Sequence, residues 1–261
     1  MSRPGPIRHA VITGASRGLG AAMARQLAAP GRRLSLIARG QAGLQATAAA
    51  CEALGAEVAI GVQDVAEPAG LAALLAAWEA ERPIDTLIAN AGLSAGTTPE
   101  GRPEGPAAAA QVVAVNLLGA IHLVQPMLPA LLARGEGRIL LIGSVAGFLG
   151  LPDSAAYSAG KAGLWAYGEA LRAAHGPAGL QVLVAAPGFF ESAMSARYLG
   201  AHPLEVGVEA MAARILRALR AGRGRVVTPW PLGALLRGLA LLPPPLADAL
   251  VRLGRFRIAP E

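Results

Sequence analysis

Lysine is all but missing from this chain. Of its 23 basic residues one, Lys161, is a lysine and the rest are arginines. Cysteine is down to Cys51, which excludes an intrachain disulfide and leaves no metal-type thiol spacing. The four histidines (His9, His122, His175, His202) form no paired motif, and His122, inside an apolar helical stretch, reads as a packed residue; no metal is expected. Asparagine occurs twice, at Asn90 and Asn116, and aromatic residues make up 4%. The net charge is +6, with a pI near 10.6. The arginines are scattered, with no run of five or more like charges, so the basic balance reads as an arginine-for-lysine bias and no nucleic-acid partner is expected. No uninterrupted apolar run reaches the ~20 residues that span a bilayer. The N-terminus runs within six residues into an apolar strand, so no secretory leader is expected and the location is expected to be cytoplasmic.

What is abundant is Ala, Leu, Val and Gly, in a chain that is 54% hydrophobic and 15% charged, enough for one large packed domain. Short apolar runs alternate with longer helical patterns. Strands are expected at Ile7–Thr13, Arg33–Ala38, Glu57–Val62, Ile84–Ala89, Arg138–Gly143, Gln181–Ala186 and Arg225–Thr228. Helices are expected at Gly18–Ala29, Gln41–Leu54, Pro68–Glu81, Ala155–His175 and Leu204–Ala221, with one long helix at Pro106–Ala133 kinked at Pro126 and Pro129. Alternation of this kind, with strands apolar throughout, predicts an α/β fold: a Rossmann-like, doubly wound parallel sheet covered on both faces. Residues 1–229 read as one dinucleotide-binding catalytic domain, and 230–261 as a leucine-rich helical tail.

The lone lysine stands four residues after Tyr157. On a helix that spacing stacks the two side chains on one face. An ammonium nearby favours the phenolate, and a phenol so tuned can give a proton to a carbonyl oxygen being reduced, or take one from an alcohol. Lysine's compact charge suits this better than a guanidinium fork.

Gly14, Gly18 and Gly20 lie in Thr13-Gly14-Ala15-Ser16-Arg17-Gly18-Leu19-Gly20, between the first strand and the first helix. Such spacing is a common accident among 33 glycines. Its place at a strand–helix junction gives it meaning: backbone approaches a pyrophosphate at a helix N-terminus. The second strand ends Leu36-Ile37-Ala38-Arg39, with alanine where an NAD-type site carries its acid. Arg39 and Arg17 therefore point to a 2′-phosphate, hence NADP(H). Asp64-Val65 follows the third strand, placed to meet the adenine, and Asn90-Ala91-Gly92 follows the fourth. Asn116, a poor mid-helix residue, asks for a polar role. Ser144 ends the fifth strand, thirteen residues before Tyr157.

Together these residues closely resemble the short-chain dehydrogenase/reductase family, from about Ile7 to Thr228. The resemblance implies that Tyr157 is the general acid/base, that Ser144 positions the carbonyl, that Lys161 holds the nicotinamide ribose and lowers the tyrosine pKa, and that Asn116 anchors a water in a proton relay. It implies a dinucleotide site of Gly14, Ser16, Arg17, Gly18, Leu19, Gly20, Arg39, Asp64, Val65, Asn90, Ala91, Gly92, Tyr157 and Lys161, with Pro187-Gly188 beside the nicotinamide. Ser192 stands where the family often has threonine, and Ala89 where it often has asparagine. Expected walls of the substrate pocket, with Ser144, are Leu93, Phe148, Leu149, Leu151, Phe189, Phe190 and Met194. They are nearly all apolar, which leans toward an acyl-, lipid- or steroid-like ketone. The resemblance implies carbonyl reduction and a homodimer or homotetramer. A non-catalytic dinucleotide sensor on the same fold is the rival reading, as is a peripheral membrane enzyme. In the tail, Leu232, Leu235, Leu236 and Leu239, then Leu246, Leu250 and Leu253 beyond Pro243-Pro244-Pro245, keep helical spacing, with Arg252, Arg255 and Arg257 nearby. These leucines need cover: as a lid on the substrate mouth, against a second subunit, or on a membrane surface.

Overall fold

The computed structural model describes residues 5–96, 104–198, 202–253 and 259. Seven parallel strands form one sheet in the order β3-β2-β1-β4-β5-β6-β7. They are β1 (His9–Thr13), β2 (Arg33–Ala38), β3 (Glu57–Val62), β4 (Thr86–Ala89), β5 (Gly137–Ile142), β6 (Leu180–Pro187) and β7 (Arg225–Thr228). Strands β1, β4 and β5 are buried along their whole length, which is why they read as unbroken apolar runs rather than alternating ones. Helices cover both faces. On one side α1 (Gly18–Leu27), α2 (Gln41–Glu52) and α8 (Val208–Arg220) bury Met23, Leu27, Leu44, Ile215 and Leu216 against the sheet. On the other, α3 (Pro68–Glu81), α4 (Pro106–Val113), α5 (Gly119–Val124), α6 (Leu128–Arg134) and α7 (Ala155–His175) bury Leu71, Leu75, Leu123, Leu131 and Leu164.

Strand order reverses between β1 and β4. The crevice outside the carboxyl ends of the strands at such a point is where ligands bind in open α/β sheets. The opposite end of the sheet is closed by polar groups. His9 is fully buried, with Nδ1 2.8 Å from the Arg82 carbonyl and Nε2 2.8 Å from Ser35 Oγ. Asp85 accepts from the backbone N–H groups of Arg8 and His9 at 2.8 and 2.9 Å.

Two expectations need correction, and the tail gains its bounds. The stretch 106–133 is not one helix. After α4 the chain makes a π-turn at Ala114–Leu118, continues as α5, and breaks before α6, because Pro126 and Pro129 cannot supply the N–H donors that a continuous ladder needs. This stretch holds a helical run, Pro106–Val124, long and apolar enough to cross a membrane by composition, and here that run packs on the core. The helix expected from Leu204 begins at Val208, because Leu204 sits at φ 59°, outside the helical region. In the tail, α9 (Trp230–Leu239) ends before the prolines, and Pro244 and Pro245 open α10 (Pro244–Leu253), where their missing N–H groups are no loss. Arg255 and Arg257 lie outside the described residues.

Candidate active site

The glycine turn is built by close approach. Gly14 has φ 65°, and a Cβ there would sit 2.8 Å from Ala91 Cα. Gly20 faces the Gly14 carbonyl, which no side chain would allow. Gly18 has φ 56° and open space where a Cβ would be, so the start of α1 offers bare backbone to whatever lies in the crevice. Asn90 locks this turn to the end of β4: its Nδ2 donates to the carbonyls of Thr13 and Gly14 at 3.0 and 3.2 Å. Thr13 Oγ1 accepts from the N–H groups of Asn90 and Ala91 at 3.0 and 3.1 Å.

The catalytic candidates converge from β5, α7 and the π-turn. Ser144 follows β5 and its Oγ accepts from Ala146 N–H at 3.1 Å, while the Tyr157 hydroxyl hydrogen-bonds to it. Lys161 is buried, its Nζ donating to the Ile142 carbonyl at 2.8 Å and lying 5.7 Å from the Tyr157 ring centroid. Close packing of small residues brings these groups together. A Cβ on Gly147 would meet the Lys161 carbonyl carbon at 2.8 Å, and one on Gly160 would meet Asn116 Cβ at 3.2 Å. Glu104, not singled out in the sequence, accepts from the Ala156 N–H at 2.7 Å and caps α7 one residue before Tyr157.

One electrostatic expectation changes. Burial pushes the Tyr157 hydroxyl above its ordinary pKa, opposed by the hydrogen bond from Ser144. Burial also pushes Lys161 down to about 8. In the protein alone, then, lysine does not draw the tyrosine down. Dehydration dominates both groups. Asn116 is 1% exposed, and both ends of its amide hold Leu93: Oδ1 accepts from Leu93 N–H and Nδ2 donates to Leu93 O, each at 2.9 Å. Its side chain fixes the loop after β4 instead of facing the crevice.

A cavity of about 870 Å³ runs along the carboxyl ends of the strands. It is lined at one end by Gly14, Ser16, Arg17, Gly18, Leu19, Arg39, Asp64 and Val65. Asn90, Ala91, Gly92, Ser144, Tyr157 and Lys161 line the middle, and Pro187, Gly188, Ser192, Phe189, Phe190 and Met194 the far end. Leu93 and Leu151 also border it. Gly20 is buried behind the turn. Phe148 and Leu149 do not border this cavity. They line a second one, of about 610 Å³, beneath α10. Phe148 stacks edge-on to Trp165 with centroids 4.9 Å apart, and the Arg237 guanidinium lies 4.1 Å over its ring. Wall residues not found from sequence include Ser94, Val145, Ser154 and Tyr198. From α9 come Leu232 and Leu236, two of the leucines for which the sequence offered a lid on the substrate mouth as one of three covers.

These features fit a nicotinamide dinucleotide: bare backbone at a helix N-terminus, two guanidiniums at one end, and a tyrosine–serine–lysine cluster in the middle. A profile of the short chain dehydrogenase family matches residues 8–201. The chain belongs to that family. An uncharacterized oxidoreductase of Mycobacterium tuberculosis is 36% identical over 243 residues, covering 90% of this chain and 93% of its own. The 3-oxoacyl-[acyl-carrier-protein] reductase FabG of Escherichia coli is 33% identical over 187 residues, covering 71% and 75%. Among solved structures, a metagenomic short-chain oxidoreductase in complex with NADP superposes with a TM-score of 0.72 at 30% identity, covering 84% of this chain and 95% of its own. As a short-chain dehydrogenase, this protein is an oxidoreductase that uses a nicotinamide dinucleotide on a carbonyl/alcohol pair.

Proposed function

We propose that this short-chain dehydrogenase is an NADP(H)-dependent reductase of apolar ketones, acyl- or lipid-like in character. The observation that carries the cofactor choice is the cationic end of the cavity. Arg17 and Arg39 border it, and Ala38 leaves no carboxylate to hold a ribose 2′-hydroxyl. Arg39 is 67% exposed, and its Nη1 lies 3.8 Å from Asp64 Oδ2. An ion pair this long and this wet is worth little, so the guanidinium is available to a phosphate at small cost. The NADP-bound relative is consistent with the choice.

The substrate reading rests on the far wall, where Leu93, Leu151, Phe189, Phe190, Met194, Leu232 and Leu236 meet. The ketoacyl substrate in the name of the Escherichia coli relative agrees with it. A bound nicotinamide supplies or accepts the hydride. Tyr157, which burial keeps protonated at neutral pH, gives its proton to the carbonyl oxygen, and Ser144 donates a hydrogen bond to the same oxygen. Lys161 holds its position through Ile142 and replenishes charge beside the phenol. A purely sensory protein would have no need of all three groups in one place.

The test is a pair of dissociation constants. One charged contact to phosphate is worth about 1.5–3 kcal/mol, so NADPH should bind one to two orders of magnitude more tightly than NADH. Ala38→Asp combined with Arg39→Ser should reverse that preference. Equal constants for the two cofactors in the unmodified protein would sink the assignment.

A further inference from the structure

The substrate end of the cavity is walled by pieces of chain that share no secondary structure. Ser94 comes from the loop after β4, and Met194, Ser195 and Tyr198 come from the loop after β6. Loops of this kind drift unless something ties them. Here the tie is a single side chain. Arg197, in the 3₁₀ turn Ser195–Arg197, donates from Nη1 to the Ser94 carbonyl at 2.9 Å and from Nη2 to the Ala95 carbonyl at 2.7 Å. The same guanidinium donates to the Ala259 carbonyl, from Nε at 3.1 Å and from Nη2 at 2.8 Å. Ala259 returns the contact, its backbone N–H donating to the Arg197 carbonyl at 2.7 Å. One planar fork thus joins the exit of β4, the loop after β6 and the end of the chain.

Two further contacts make this a frame rather than an isolated clasp. Asn116 holds both backbone groups of Leu93, so the loop after β4 is fixed at consecutive residues from opposite sides. Tyr198, next to Arg197, packs its ring on Phe189 with centroids 4.9 Å apart, and Phe189 stacks on His202 at 5.1 Å. A shift of Arg197 therefore moves an aromatic wall of the cavity. Arg197 itself does not border the cavity, so it acts through the residues it holds. We propose that Arg197 is the positioning residue of the substrate end and that the backbone at Ala259 is part of the enclosure it closes. Lysine is a poor substitute: a compact ammonium on a flexible stem cannot span carbonyls set along two edges of a planar guanidinium. Most of the expected cofactor contacts, from the glycine turn to Lys161, lie away from the held loops, so cofactor affinity should change little when the clasp is lost.

The kinetic half of the test rests on the reductase reading; the proteolytic half does not. Arg197→Ala should raise KM for the best ketone at least tenfold, lower kcat less than threefold and leave the NADPH dissociation constant within twofold. Arg197→Lys should recover only part of the loss. Arg134→Ala serves as a structural control. It removes contacts to Glu79 and the Ile84 carbonyl at the opposite end of the sheet, and should lower Tm without moving KM. An unchanged KM for Arg197→Ala, or a parallel loss of NADPH affinity, would overturn the positioning role. Separately, a chain ending at Ile258 should be cut by trypsin after Arg197 at least tenfold faster than the full chain, read by mass spectrometry of the fragments. Equal rates would overturn the clasp whether or not the protein reduces a ketone. If the full chain reduces no ketone yet shows that protection, the clasp stands and the reductase reading fails.

Discussion

At the scale of single residues, Tyr157 is the proton donor of the proposed reaction, and its surroundings hold that proton in place. Burial raises its pKa, so the phenol holds its proton at neutral pH and is ready to donate it. In the proposed reduction the carbonyl oxygen takes that proton. Oxidation needs the phenolate and should gain as the pH rises. Burial alone lowers Lys161 to about 8, since its ammonium has left water. Tyr157→Phe removes the proton donor and keeps the ring. Turnover should fall by roughly 10²–10⁴ while NADPH still binds, because general acid–base catalysis contributes about that much. Steady-state rates together with a cofactor titration check this, and near-native turnover would remove Tyr157 from the mechanism.

At the scale of elements, strands β2, β3 and β7 and helices α3 and α7 were legible to the residue, since each is an apolar run or an amphipathic pattern bounded by glycine or proline. The cluster Ser144–Tyr157–Lys161 was legible because rare residues fall at helical spacing. The π-turn at Ala114–Leu118 was not. Beyond Asn116 nothing in its composition differs from α-helix, and what surrounds it is tertiary: Gly119 packed on Val65, and Asn116 bound to Leu93. The faces of the tail were half legible. In α9 the i, i+4 pair Leu232 and Leu236 turns inward and closes the cavity, whereas in α10 the buried residues are Ala247 and Val251, and Leu246, Leu250 and Leu253 face outward. A pattern of leucines gives the period of a helix but not which neighbour waits for it. Leu232→Ala should therefore lower kcat/KM several-fold more for a long-chain ketone than for a short one. An equal loss on both would show that α9 supports the fold without shaping the substrate.

At the scale of the whole molecule, the two ends of the sheet do different work: the carboxyl ends hold the cavity, and the amino ends hold a buried polar cluster that joins four strands. His9 on β1 reaches Ser35 on β2 and the Arg82 carbonyl before β4. Asp85, also before β4, takes the N–H groups of Arg8 and His9 and lies 3.8 Å from Arg138 on β5. A carbonyl can only accept, so Nδ1 of His9 carries a proton; in the neutral imidazole, which burial favours, Nε2 then accepts from the Ser35 hydroxyl. Burial lowers the pKa of His9 below 6.5, with Arg33 and Arg82 pushing the same way and Asp85 and the Arg82 carbonyl opposing. The sign follows directly. Below pH 6.5 the unfolded chain takes up a proton at this histidine before the folded one does, so stability rises with pH across that window. The contribution is fully present above 6.5 and is lost as the pH falls toward the folded-state value. Urea unfolding from pH 7.5 down to pH 5 should show the midpoint falling. His9→Gln keeps a polar group beside Ser35 but cannot titrate, so it should start from a lower midpoint at pH 7.5 and lose less of it on acidification. A variant whose midpoint falls as steeply as that of the unmodified protein would assign the acid sensitivity to other groups.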